Sequence, residues 1–139
     1  MSSAPTPAEV HQRLTDLRNA LLYHHRILLY SERDFYEHEV NKIASPNEFL
    51  ALVIDDPWFA WLHELSELIV LIDEAQDNKE TPVTSTDADR LVAQSRALLM
   101  PSENGRGFGQ RYYQAMQRDP DVIIAHGQVT KLIAKLADA

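Results

Sequence analysis

The sequence predicts an all-α protein, built as a mostly antiparallel bundle of four main helices and two short ones. Apolar residues recur at helical spacing through most of the chain, and no segment shows the alternating pattern of a strand. A chain of 139 residues with 45% hydrophobic content fits one domain covering residues 1–139, of which we expect residues 1–6 to be flexible. A capping residue followed by proline marks four helix starts, at Thr6-Pro7, Ser45-Pro46, Asp56-Pro57 and Asp119-Pro120.

The first helix is predicted to run from residue 7 to about residue 43. Glu9 completes a capping box with Thr6 at its start. Polar residues replace apolar ones at three positions of its apolar stripe, so we expect packing to continue through polar layers. The apolar members are Val10, Leu14, Leu17, Leu21, Leu28 and Phe35, and the polar ones are His24, Ser31 and His38.

A short helix over residues 46–54 precedes the most apolar segment, a predicted core helix over residues 57–75. At 100° per residue, Ser66 and Asp73 lie on the buried line of this core helix with Phe59, Leu62 and Ile69. A buried carboxylate is costly without a donor. We therefore expect a partner for Asp73, either His126 or a histidine or arginine of the first helix.

Three helices are predicted in the rest of the chain, over residues 86–100, 110–118 and 120–137. The first of them follows capping residues at 84–87. Residues 102–109 hold three of the four glycines, but they do not follow a strand and lack the lysine-hydroxyl ending of a nucleotide loop. We interpret this loop as a turn between two helices.

Composition narrows the classes of function. The absence of cysteine excludes disulfides and thiolate metal sites and suits a cytoplasmic location. No apolar run is long enough for a membrane span, and a net charge of -8 opposes binding to nucleic acid. Residues 55–89 carry ten acids and one base, whereas residues 90–135 carry seven bases and three acids. We expect these two segments to face each other, within the bundle or between two copies.

The candidate site is a set of polar residues inside or beside apolar arcs. We expect a buried polar cluster drawn from His24, His25, Glu32, Ser66, Asp73 and His126. Hydrogen-bonded polar layers that fix helix register are the commoner role of such groups. In the alternative interpretation, His25, Glu32, Asp73 and His126 bind a metal ion.

His63 and Glu67 are spaced as a metal-binding pair would be. They lie at the polar edge of the core helix, where this spacing favours a solvated pair. The chain has no Glu-x-x-His unit of ferritin-like proteins, and it lacks the paired late histidines of hemerythrin-like and DinB-like bundles. No cofactor is therefore predicted in the favoured interpretation.

Three stretches carry a family resemblance: residues 45–62, residues 68–74 and residues 118–122. Together they resemble a family of small uncharacterised bacterial proteins. The resemblance covers most of the chain and implies a bacterial, all-helical, free-standing domain. It implies no activity and no site residues.

For function, the sequence favours a non-enzymatic protein-interaction or regulatory module, with a homodimer or another protein as partner. Tyr23 and Tyr30 flank the stripe of the first helix and are the candidate interaction surface. The alternative is a metal-binding bundle protein or enzyme with a buried histidine and carboxylate cluster. A small apolar ligand between helices is a third possibility.

Overall fold

The computed structural model describes residues 4–138, and within them it is all-helical, with no strand. The all-α prediction is confirmed. Four longer helices, α1, α3, α4 and α6, form the bundle, and α2, α5 and a 3-10 segment are shorter. The bounds are α1 Pro7–Glu39, α2 Pro46–Asp55, the 3-10 segment Pro57–Leu62, α3 His63–Asp77, α4 Ser85–Leu98, α5 Phe108–Arg118 and α6 Pro120–Ala137. Residues 4–6 are exposed and precede α1, and residues 1–3 of the predicted flexible start lie outside the described part.

All the helix starts marked by capping residues are confirmed. Each cap oxygen accepts a hydrogen bond from a backbone N–H of the first turn, which would otherwise lack a partner inside the helix. Thr84 forms a complete capping box, because Asp87 Oδ2 in turn accepts from the Thr84 N–H at 3.0 Å. The other caps are Thr6, Ser45, Asp56 and Asp119.

The first helix ends at Glu39, before the predicted residue 43. The backbone N–H groups of Val40 and Asn41 both return to the Tyr36 carbonyl, which closes the last turn. Glu37 then accepts a hydrogen bond from the Ile43 N–H at 3.0 Å. This side chain satisfies a backbone group outside the helix, so the chain can leave the helical path toward α2.

The predicted core helix is two elements. Residues 57–62 form a 3-10 segment, and the α-helix begins only at His63. With three residues per turn, positions three apart share a face. Trp58 therefore aligns with Trp61, and Phe59 aligns with Leu62, which gives four large apolar side chains two packing directions. Because 3-10 geometry turns by about 20° more per residue than an α-helix, the buried line of α3 is displaced from the one drawn for a continuous helix.

Helix α1 is the centre of the bundle. It contacts α3, α4, α5, α6 and the 3-10 segment, and it runs antiparallel to α6, since Arg13 Nε donates to the Leu136 carbonyl at 2.9 Å. Of its predicted stripe, Phe35 is half-buried and His38 is exposed. Helix α4 packs mainly against α6 and α1 and touches α3 only lightly. The buried positions of α1 are Val10, Leu14, Leu17, Leu21, His24, Leu28, Ser31 and Glu32.

The glycine-bearing loop forms a turn between α4 and α5, as predicted, and the Ser102 N–H donates to the Gly109 carbonyl across it at 3.0 Å. Gly107 precedes α5 with φ 64°, a conformation that favours glycine. At Gly109 a Cβ atom would lie 3.1 Å from the Met100 carbonyl oxygen, so the two ends of the loop approach closely. The loop is therefore explained by backbone geometry. Among residues 4–138, no helix combines the length and apolar character needed to cross a membrane.

Candidate functional site

A line of three hydrogen-bonded side chains crosses the bundle from α1 through α5 to α6. His24 Nε2 lies 2.8 Å from the Tyr112 hydroxyl, and that hydroxyl lies 2.6 Å from His126 Nδ1. His24 is 1% exposed and Tyr112 is fully buried. Because a phenol has a single proton, Tyr112 donates to one imidazole and accepts from the other. The tautomers of His24 and His126 are therefore linked.

Burial keeps this line of side chains uncharged near neutral pH. Desolvation, reinforced by His126 and His25, lowers the pKa of His24 to about 4. Burial also lowers the pKa of His126 and raises that of Tyr112. The three groups can thus exchange hydrogen-bond direction without carrying a fixed charge.

His25 and Ser66 form a separate contact between α1 and α3. Ser66 Oγ lies 2.9 Å from His25 Nε2, and both residues are half-buried. Burial lowers the pKa of His25, with a smaller contribution from His63. This pair fixes the register of α1 against α3, which is the role expected of a polar layer.

Glu32 and Arg118 form an ion pair in which the carboxylate is buried. Arg118 Nη2 donates to Glu32 Oε1 at 2.6 Å, and the Glu32 side chain is 1% exposed. The Arg118 guanidinium also lies over the Phe35 ring, 3.9 Å from its centroid. Glu32 was expected beside the apolar stripe of α1, whereas it is inside the core because α5 covers that flank.

Asp73 is not the buried carboxylate that the helical wheel indicated. Its side chain is 40% exposed, and its Oδ1 accepts a hydrogen bond from Arg18 Nε at 3.0 Å. An arginine of the first helix is thus its partner, as anticipated. The displaced register of α3 buries Leu65, Leu68, Ile69 and Ile72 and moves Asp73 to the edge of the helix.

The alternative metal set is not assembled. His25, Glu32, Asp73 and His126 each contact a different partner, and no group of three or more histidine or acidic residues that could hold a metal ion occurs within residues 4–138. The expected pair of His63 with Glu67 is also not formed. His63 Nε2 instead donates to the Val53 carbonyl at 3.0 Å.

The acidic and basic segments do not pair as expected within the bundle. Asp89 and Asp73 of the acidic segment pair with Arg13 and Arg18 of α1. Among the described residues, the one ion pair that joins the two segments is Arg90 with Asp87, at 3.9 Å within α4. Most acids of α3 therefore face solvent.

Several grooves lie between the helices, and three of them border the residues described above. A long groove between α3 and α4 has two contiguous parts of about 580 and 300 Å³, which share Leu71 and Gln94. A groove of about 410 Å³ lies between α1 and α6, with His24 among its lining residues. The third, of about 260 Å³, lies between α4 and α6 and is lined in part by His126. The two histidines linked through Tyr112 thus lie on different grooves.

Tyr23 and Tyr30, the predicted interaction residues, are 54% and 51% exposed on α1.

Comparisons with protein-family models, with curated proteins and with solved structures found no match to this chain. The resemblance to a bacterial family therefore stays a prediction.

Proposed function

We propose that this protein is an interaction module that binds a basic amphipathic helix of another protein in the groove between α3 and α4. The observation that carries the proposal is an open groove with an apolar base and a rim on which three of the four carboxylates have no cationic partner among the described residues. Helix-in-groove recognition uses this combination, with apolar side chains for affinity and charge for orientation.

The base of the groove is apolar because α3 and α4 stand apart. Buried Leu68 and Leu91 lie on facing helices, and Ala75 and Ala97 are too small to close the space between them. Leu71 lines both parts of the groove and is 43% exposed. A partner that covered Leu71 would remove apolar surface from water.

The rim carries four carboxylates and one guanidinium. Glu64, Glu67 and Glu74 form no ion pair with any residue of the described chain, and Asp87 has only the distant contact with Arg90. Lysine or arginine side chains flanking an apolar stripe would complement this rim. The chain's net charge of -8 favours the same class of partner.

The length of the groove suits several turns of helix. It follows α3 from Glu64 to Asn78, which at 1.5 Å per residue spans about 21 Å. A partner helix of about four turns would fill it and could place apolar residues at positions i, i+3, i+4 and i+7 along the base.

We expect a designed peptide to bind this groove. The probe is a fluorescently labelled helix with leucines on one stripe and lysines beside it, titrated in an anisotropy assay. Its controls are the same peptide with glutamate for lysine, and one with the same residues reordered so that the leucines do not align. The lysine peptide should bind about tenfold more tightly than either control, a difference of about 1.4 kcal/mol, and should weaken as salt rises.

Matched variants locate the binding site. Leu71→Glu puts a charge in the apolar base, and Glu67→Lys reverses a charge on the rim. Each variant should weaken the binding of the lysine peptide. Leu50→Glu on α2 and Glu39→Lys at the end of α1 make the same changes on exposed residues outside the groove and should leave binding unchanged. Equal binding of all three peptides, or equal effects of both pairs of variants, would contradict the proposal.

A homodimer through Tyr23 and Tyr30 stays a prediction with its own measurement. If the two exposed rings pack against a second copy, sedimentation at micromolar concentration gives a dimer, and Tyr23→Ser with Tyr30→Ser gives a monomer. A wild-type monomer would contradict the dimer. It would leave the groove between α3 and α4 available to another protein.

A further inference from the structure

We propose that the groove between α4 and α6 binds a small carboxylic acid, whose carboxylate is held by the Arg96 guanidinium and the Nε2–H group of His126. The groove has a volume of about 260 Å³, and Arg96 and His126 lie on its two sides. It shares no lining residue with the proposed helix-binding groove between α3 and α4, so the two proposals can fail independently.

His126 offers one of its two ring nitrogens to this groove. Its Nδ1 lies 2.6 Å from the Tyr112 hydroxyl, and its Nε2 has no hydrogen-bond partner among the described residues. Unlike Nδ1 of His24, this nitrogen is not buried, because the His126 side chain is half-buried and lines the groove. A molecule in the groove can therefore reach Nε2.

The unpaired nitrogen of His24 sets the direction of the hydrogen bonds along the line of side chains. His24 Nδ1 is buried and has no partner within residues 4–138. Buried N–H groups without an acceptor are rarer in proteins than buried acceptors without a donor, so this nitrogen is the one without a proton. The proton of neutral His24 then lies on Nε2 and is donated to the Tyr112 oxygen, 2.8 Å away.

This direction makes His126 a hydrogen-bond donor toward the groove. Because Tyr112 accepts from His24, its own O–H group donates to His126 Nδ1. Burial lowers the pKa of His126, so its ring is neutral at pH 7 and carries a single proton. That proton lies on Nε2. Both histidines are then in the tautomer that neutral histidine prefers in water.

Arg96 supplies the positive charge. It is exposed on α4, lines the groove and forms no hydrogen bond or ion pair with another described residue. None of the described residues that line this groove is acidic, whereas carboxylates line the grooves between α3 and α4 and between α1 and α6. A guanidinium and an N–H donor without a neighbouring carboxylate favour an anion.

The rest of the lining favours a carboxylate on a small apolar body. Leu99, Met100 and Ile133 supply an apolar wall. Thr130 also lines the groove, but its hydroxyl proton is donated to the His126 carbonyl at 2.8 Å. The groove thus offers one guanidinium and one imidazole N–H, which match the two oxygens of a carboxylate. A phosphate would lose more hydration against the wall and would keep oxygens without a donor.

The probe for this site is benzoate, and its uncharged control of the same shape is benzamide. In a titration followed by nuclear magnetic resonance at pH 7, we expect benzoate to bind about tenfold more tightly than benzamide and to weaken as salt rises. Benzylamine, which carries the opposite charge, should not bind. Benzoate should also move the nitrogen shift of His126 Nε2, because that atom donates to the carboxylate.

Matched variants locate the site. Arg96→Gln removes a charge from an exposed side chain and should lower the affinity for benzoate to that for benzamide. Arg90→Gln makes the same change in net charge on the same helix, in the groove with α3, and should leave the affinity unchanged. His126→Phe keeps a ring, removes the donor and should also weaken benzoate. If that variant does not fold, the Nε2 shift in the wild-type protein still decides the contact.

The free protein gives a second, independent test. The nitrogen shifts of its histidine rings should show the proton on Nε2 in both His24 and His126. A proton on His126 Nδ1 would overturn the proposal, because the groove would then face an acceptor. Equal affinity for benzoate and benzamide, no binding of benzoate, or equal effects of Arg96→Gln and Arg90→Gln would also overturn it.

Discussion

Replacing Arg118 with methionine is expected to lower the free energy of unfolding by about 3 to 5 kcal/mol, since breaking a buried ion pair from one side leaves an uncompensated charge. Glu32 is 1% exposed and receives its hydrogen bond from Arg118 at 2.6 Å. Methionine keeps much of the arginine's apolar length but removes the donor. Urea denaturation at pH 7 measures the loss, with the midpoint and slope both recorded.

Two further variants distinguish the cost of the unpaired charge from the cost of lost packing around residue 118. In Glu32→Leu combined with Arg118→Met, no buried charge remains, so most of the lost stability should return. Arg18→Met breaks the pair with Asp73, whose side chains are 35% and 40% exposed, and should cost no more than about 1 kcal/mol. If Arg118→Met costs no more than Arg18→Met, the Glu32 carboxylate is solvated in solution and the description of this pair is wrong.

The helix starts could be predicted from the sequence because their causes are local. A cap such as Ser45 bonds to the N–H of Glu48, three residues away, and both groups are visible in the sequence. The 3-10 segment could not be predicted in this way. Its geometry depends on what Trp58 and Phe59 pack against, and their neighbours Phe35, Tyr36 and Phe49 belong to α1 and α2.

The dependence of burial on neighbouring helices also explains why the burial of Asp73 and Glu32 was predicted wrongly. The wheel placed Asp73 inside and Glu32 at the edge, and the structure has the reverse. Helix α1 is covered on several sides, so a residue beside its stripe is buried, whereas α3 contacts α4 only lightly and its flank faces solvent. A helical wheel gives angles within one helix but not the number of helices that surround it.

Nothing in the sequence marked Tyr112 as a residue of the site. It lies in a short helix, and its hydroxyl partners His24 and His126 are 88 and 14 residues away. The usable clue was general. A tyrosine that becomes buried needs a hydrogen-bond partner, and His24 and His126 were both predicted to be buried.

The stability of the protein is expected to fall between pH 6.5 and pH 4 because of His24. Burial lowers its pKa in the folded state from 6.5 to about 4, so the unfolded chain binds a proton in this range and the folded chain does not. The stabilisation is present above pH 6.5 and is lost as the pH falls toward 4, in total about 3 kcal/mol at about 1.4 kcal/mol per pH unit. The pKa values of His25 and His126 are lowered in the same direction and add to the loss.

The slope of unfolding free energy against pH isolates His24 from the carboxylates. Ordinary aspartate and glutamate side chains take up protons mainly below about pH 4.5, so a decline between pH 6.5 and 5 belongs to histidines. The slope is proportional to the number of protons that the chain takes up on unfolding. His24→Phe should lower that number by about one and make the slope shallower, even if the variant is also less stable at every pH. His38→Gln, at a side chain that is 84% exposed, is the matched control for replacing a histidine of α1. If the slope of His24→Phe equals that of the wild type, the fold does not hold His24 neutral. His24 would then be protonated in its hydrogen bond to Tyr112, which would contradict an uncharged line of side chains.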